Sequence, residues 1–127
     1  MSKKQIITSR APAAIGPYSQ GISAGNLVFI SGQLPIDAKT GKLLEGSIAD
    51  QTRLIMRNIE VIAEEAGASL ANIVKTTIFL TDLSNFQEVN SAYGSFFSEA
   101  PPARATVQVS ALPLGASVEI EAVVVIG

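Results

Sequence analysis

Residues 101–127 read PPARATVQVSALPLGASVEIEAVVVIG. Two strand-like runs flank a turn at Leu112-Pro113-Leu114-Gly115. Alternation places Arg104, Thr106 and Gln108 on one face of the first run, with Ala105, Val107 and Val109 on the other. In the second run Val118, Ile120, Ala122, Val124 and Ile126 share a face. Glu119, Glu121, Val123 and Val125 share the opposite one, which begins with carboxylates and ends apolar. A strand apolar on both faces needs cover from both sides.

The rest of the chain supplies cover for one side only. Residues 4–7 read as a short first strand. Residues 11–20, APAAIGPYSQ, carry two prolines and a glycine and are extended or turn-like rather than helical. Residues 19–31 predict a hairpin turning at Ala24-Gly25-Asn26, and its second arm, Leu27-Val28-Phe29-Ile30, is again apolar on both faces. Ser31-Gly32-Gln33 closes that arm, where glycine permits close backbone approach. Residues 37–42 form a polar turn.

Residues 47–67 predict the strongest helix. Ser47 caps it with Asp50 three residues on, Ile48, Ile55, Ile59, Ile62 and Ala66 recur at helical spacing, and Gly67 suits the position just past the end. Residues 72–80 predict a strand with Val74, Thr76, Ile78 and Leu80 opposite Lys75, Thr77 and Phe79. Ser84 and Gln87 predict a capping box for a second helix running to about Ser98, with Phe86, Val89, Tyr93, Phe96 and Phe97 near its buried side. Pro101-Pro102 stops it.

The order β-β-β-α-β-α-β-β predicts an α+β fold: one domain over residues 1–127, a mixed sheet with both helices on one face. Two helices cannot also cover the other face, where Val123, Val125 and half of residues 27–30 point. Another subunit is the expected cover. Pattern alone leaves the number of subunits open.

Composition narrows the chemistry. The chain has 127 residues, 47% hydrophobic and 16% charged, with a net charge of −2. No basic footprint for nucleic acid or a membrane surface is present. No apolar run nears ~18 residues and no signal-peptide core follows Lys3-Lys4, so a soluble, cytoplasmic protein is expected. Without Cys there is no thiolate nucleophile, and without His no imidazole base or ligand. Catalysis must come from Arg, Lys, Glu, Asp, Tyr, Ser, Thr or the backbone.

Each candidate has a plain alternative. Arg104 opens a strand, and its planar fork suits a carboxylate or phosphate; a surface or intersubunit ion pair would use it too. Glu119 and Glu121 can raise one another's pKa and act as acid or base, or be a solvated strand edge. Tyr18 is a ligand contact or a packed aromatic with a satisfied hydroxyl. Ser31 and Gly32 can offer a hydroxyl and an N–H, although strand ends often carry this pair. Asn90 sits mid-helix, where it is a poor helix former, and could simply bond a nearby loop. Lys75 could form a Schiff base if desolvated, but reads better as an exposed strand lysine. No phosphate loop, dinucleotide fingerprint or metal-spaced motif occurs.

APAAIGPYSQG, FISGQLP, IVKTTIFLTDLSNFQEVN, PARATVQV and LPLGASVEIEAVV, in this order and spacing, resemble the RidA family nearly end to end. The resemblance implies a six-stranded mixed sheet with two helices on one face, of the RidA and chorismate-mutase-like type. It also implies homotrimers whose sheets form a central barrel, with ligand clefts between subunits. The implied activity is hydrolysis of 2-imino acids such as 2-iminobutanoate and 2-iminopropanoate, or their enamines, to 2-keto acids and ammonia, with neither cofactor nor metal.

By the same resemblance Arg104 binds the substrate carboxylate and Glu119 handles the attacking water as acid and base. Tyr18, Ser31, Gly32 and Asn90 match further cleft positions. Thr106 stands where many bacterial members have Cys, a position used partly through its backbone. A shortened segment before Pro102 implies a reshaped cleft mouth. Two rivals share parts of this pattern. A non-catalytic module sensing 2-keto acids or other carboxylates would need Arg104 but not Glu119. An endoribonuclease fits poorly with the acidic balance and missing histidine.

Overall fold

Ser47 starts the long helix α1 (Ile48–Glu65) by accepting the Asp50 backbone N–H on its hydroxyl at 3.0 Å, which satisfies one of the donors a helix start leaves free. At the other end Gly67 stands at φ +87°. There the Gly67 N–H donates to the Glu64 carbonyl (3.0 Å) and the Ala68 N–H to that of Ala63 (2.9 Å). These are the paired bonds of a Schellman ending, which favours glycine at the left-handed residue. Between the caps Ile55, Met56, Ile59 and Ile62 are fully buried; removing each from water contributes about 1.5–3 kcal/mol.

The computed structural model describes residues 2–127. Around α1 the chain forms strands β1 (Lys3–Ile6), β2 (Gly21–Ala24), β3 (Leu27–Gln33), β4 (Ile73–Leu80), β5 (Ala103–Gln108) and β6 (Val118–Val125), with helix α2 (Phe86–Gly94) between β4 and β5. They make one six-stranded sheet in the order β1-β2-β3-β6-β4-β5. All neighbours run antiparallel except β4 and β5, which α2 joins as a parallel pair. The predicted element order and mixed sheet are therefore present. Among the described residues no helix is long and apolar enough to cross a membrane.

Register decides which side chains meet the helices. Thr76, Ile78 and Leu80 pair with Ala122, Ile120 and Val118, and all six are buried. Thr76 Oγ1 and the Tyr93 hydroxyl of α2 lie 2.8 Å apart, tying that sheet face to the helix layer. On the opposite face Phe29 pairs with Val123 and Leu27 with Val125. Among the described residues nothing covers this face: Phe29 is 46% exposed, Val107 41% and Leu27 36%. The alternation in β3 and β6 predicted this uncovered apolar surface.

Three local expectations need correction. An extra β4 residue between the Ile73 and Lys75 pairings puts Ile73 in the core and turns Val74 out to 44% exposure. Ser84 and Gln87 form no capping box; instead Asp82 accepts the Ser84 N–H at 2.9 Å and leads a short turn, Leu83–Asn85, into α2. The second helix also stops at Gly94, short of Ser98. The Ser95 hydroxyl donates to the Ala92 carbonyl, and the Phe96 N–H turns to Tyr93 instead. The side chain has taken the acceptor that the next helical bond would use.

Candidate active site

β3 carries a bulge at its end. Ile30 pairs with Ala122 and Gln33 with Ile120, so three steps on β3 match two on β6. Ser31 and Gly32 form that bulge, and Glu119 follows on β6. A Cβ on residue 32 would stand 2.7 Å from a Glu119 carboxylate oxygen and 2.9 Å from its carboxyl carbon. Glycine leaves the space this carboxylate occupies; a larger residue would displace it, while the backbone angle itself asks for no glycine.

Glu119 is half-buried. Burial pushes its carboxyl above the usual carboxylate range, and the charge of Glu121, two residues along the same sheet face, pushes it further. Such a carboxyl takes up and releases a proton nearer neutrality than an exposed one.

Gln20 fixes the loop that brings Tyr18 to this carboxylate. Its side chain is buried and accepts the Thr8 N–H at 2.7 Å. It also donates to the Thr8 carbonyl (3.0 Å) and the Pro12 carbonyl (2.8 Å). The Ser31 hydroxyl donates to the Ser19 carbonyl, and the Ser31 N–H to the Gln20 carbonyl at 3.0 Å. Ser31 thus holds the loop, with its hydroxyl proton committed to the backbone. Tyr18 is half-exposed, and its hydroxyl accepts the Ile15 N–H at a long 3.4 Å. Tyr18, Ser31, Gly32 and Glu119 line one cavity of about 540 Å³ together with Ile15 and Leu114.

Arg104 lies elsewhere. It is exposed on edge strand β5, with its guanidinium 5.3 Å from the Tyr93 ring centre and 5.6 Å from that of Phe86. Those aromatic faces hold the cation. Among the described residues it pairs with no carboxylate, so the plain ion-pair reading is not realised within the chain. Asn90 follows Phe86 by four and precedes Tyr93 by three, which puts it on the same side of α2. Its side chain makes no hydrogen bond among the described residues. Thr106, two along from Arg104 on the same strand face, has a buried hydroxyl oxygen without a partner.

The sequence-predicted residues therefore fall into two groups. Arg104 pairs with Thr76 and shares its helix-side face; Glu119 pairs with Phe79, on the open face. The fold brings together Tyr18, Ser31, Gly32 and Glu119, and separately Arg104, Asn90 and Thr106. It does not bring Arg104 and Glu119 onto one side of the sheet. Sequence reasoning missed the Gln20 clamp and the platform of Phe86 and Tyr93 beneath Arg104. A polar residue directly before a strand was the only signal for the first, and the four-and-three spacing around Asn90 for the second.

The family model described as endoribonuclease L-PSP matches residues 8–126. A mouse protein named 2-iminobutanoate/2-iminopropanoate deaminase is 43% identical over 125 residues, covering 98% of this chain and 93% of the mouse protein. The crystal structure of RidA from an Antarctic Psychrobacter species superposes with a TM-score of 0.93 at 48% identity, over 97% of this chain and 99% of that one. Escherichia coli TdcF, solved with bound serine, gives a TM-score of 0.93 at 43% identity, over 98% and 99%. The chain belongs to the endoribonuclease L-PSP family, which includes the RutC and RidA proteins.

Proposed function

We propose that this protein hydrolyses 2-imino acids and their enamine tautomers to 2-keto acids and ammonia, in clefts formed between the subunits of a homotrimer. The observation that carries this reading is the half-buried Glu119, its proton affinity raised, set against Gly32 in a cavity with Tyr18. The deaminase name of the mouse relative and the small amino acid bound by TdcF support the same substrate class.

Imine hydrolysis is intrinsically easy, so positioning with modest proton transfer is enough. Arg104 of a neighbouring subunit grips the substrate carboxylate with its planar fork, helped by Asn90 and Thr106. Ionised Glu119 takes a proton from water as the oxygen bonds to the carbon of the protonated imine, whose C=N electron pair moves onto nitrogen. Glu119 then delivers its proton to that nitrogen of the tetrahedral carbinolamine. The C–N bond breaks, ammonia leaves, and the hydroxyl gives its proton to the again-ionised Glu119 to become the keto oxygen; the departing ammonia carries that proton away as ammonium. Gly32 leaves the room in which this carboxylate sits, and Ser31 acts by holding the Tyr18 loop.

Trimerisation would bury the apolar face carrying Phe29, Val107 and Val123 and carry an Arg104 toward a neighbour's Glu119. The test is an amino-acid oxidase producing imine in the presence of semicarbazide. Added wild-type protein should speed keto-acid formation and reduce semicarbazone; Arg104→Ala should do neither. Equal rates with and without wild type would overturn the reading. No hydrolysis by wild type, together with 2-keto acid binding that survives Glu119→Gln, would favour a carboxylate-binding module instead.

A further inference from the structure

Two large apolar side chains stand in water at the rim of the Glu119 cavity: Ile15 is 85% exposed and Leu114 70%. A single exposed aliphatic residue is ordinary. These two differ because they border the same cavity, and because Leu114 adopts φ +61°, a left-handed backbone that disfavours a side chain. Glycine would sit there without strain, and Gly115 beside it shows that the turn already uses one. The leucine side chain is thus kept where neither core packing nor backbone preference calls for it.

The remaining wall agrees. Leu34, Ile36 and Pro113 continue the apolar lining from Leu114, while Glu119 is the only charged group bordering the cavity among the described residues. At about 540 Å³ the space exceeds what a two- or three-carbon skeleton fills. An aliphatic substituent would displace water from these side chains. A polar one would lose hydrogen bonds to water and find none on the Ile15, Leu34, Ile36, Pro113 and Leu114 side chains, and an acidic one would face Glu119.

We infer that Ile15 and Leu114 form a side-chain subsite beside Glu119 that selects 2-imino acids bearing extended aliphatic groups over those bearing polar or acidic ones. This rests on the imine-hydrolase reading of the same cavity. Each added methylene should raise kcat/KM about threefold until the space is filled.

The test compares imines generated by an amino-acid oxidase from alanine, norvaline, leucine and glutamine. Wild type should process the leucine- and norvaline-derived imines about tenfold more efficiently than the glutamine-derived one. Leu114→Gly, which suits the backbone, and Ile15→Ser should each shrink that ratio severalfold, with unchanged elution on size exclusion. Equal efficiency on all four imines in wild type would overturn the subsite and leave the hydrolase reading intact; no hydrolysis of any would overturn both. An unchanged ratio in both variants, or loss of the native assembly in either, would show that these residues do not contact substrate but serve the fold or a subunit contact.

Discussion

Gly32 and Glu119 compete for one volume: a methyl group on residue 32 would fall 2.7 Å from a carboxylate oxygen of Glu119. The nearest backbone of the two strands is not what blocks it; all three closest atoms belong to the Glu119 side chain. The bulge in β3 therefore makes a berth for one carboxylate, on the sheet face away from the helices.

Gly32→Ala should consequently harm function more than folding. The carboxylate can swing away, so the expected loss of stability is at most about 1 kcal/mol. With its base displaced, the enzyme should lose about a hundredfold in kcat/KM. Thermal unfolding and imine hydrolysis measured on the same sample check this. A large fall in Tm would show that the berth holds the sheet together instead.

The raised proton affinity of Glu119 sets a pH dependence. If ionised Glu119 is the base, kcat/KM falls as pH drops through its raised value. Glu121→Gln removes the like charge that helps raise it, so the acid limb should move to lower pH. Stability moves in a linked way. The folded chain holds this proton more tightly than an unfolded one, so Glu119's contribution to stability is fully present below the ordinary carboxylate range and is lost as pH rises through its own raised value. Glu119→Gln should therefore raise Tm at neutral pH while abolishing hydrolysis.

The uncovered sheet face predicts an assembly. Phe29, 46% exposed beside Val123, lies amid this apolar surface. Phe29→Glu would place a charge where a neighbouring sheet is expected to pack, at a penalty of several kcal/mol per interface. Light scattering should show wild type at three times the chain mass and the variant at one. A wild-type monomer would remove the basis for clefts between subunits.

Much of this was legible before any coordinates. Val118, Ile120, Ala122 and Val124 alternate strictly with Glu119, Glu121, Val123 and Val125, and period-two burial followed that pattern residue for residue. The α1 caps were equally readable, because Ser47 and Gly67 act through their own chemistry. Val74 was misread because a bulge shifts alternation without leaving a mark in residue type. The end of α2 was misread because the apolar spacing of Phe96 and Phe97 continues past a serine whose side chain takes the next acceptor. At the site, residue types suggested an anion grip and a base, but not that strand register sets Arg104 and Glu119 on opposite faces. That relationship belongs to pairings across the sheet, and no local pattern encodes it.

The opposite placement of Arg104 and Glu119 can be tested by mixing two inactive chains. Arg104→Ala and Glu119→Gln, carrying different tags, would be co-expressed and the mixed trimers isolated. If each cleft takes Glu119 from one subunit and Arg104 from the next, every mixed trimer has both residues intact in about a third of its clefts, one of the three. Imine hydrolysis should return to about a third of the wild-type rate per trimer, although each parent trimer is inactive. A mixture as inactive as its parents, beside an active wild type, would show that one subunit supplies both residues and would contradict the account.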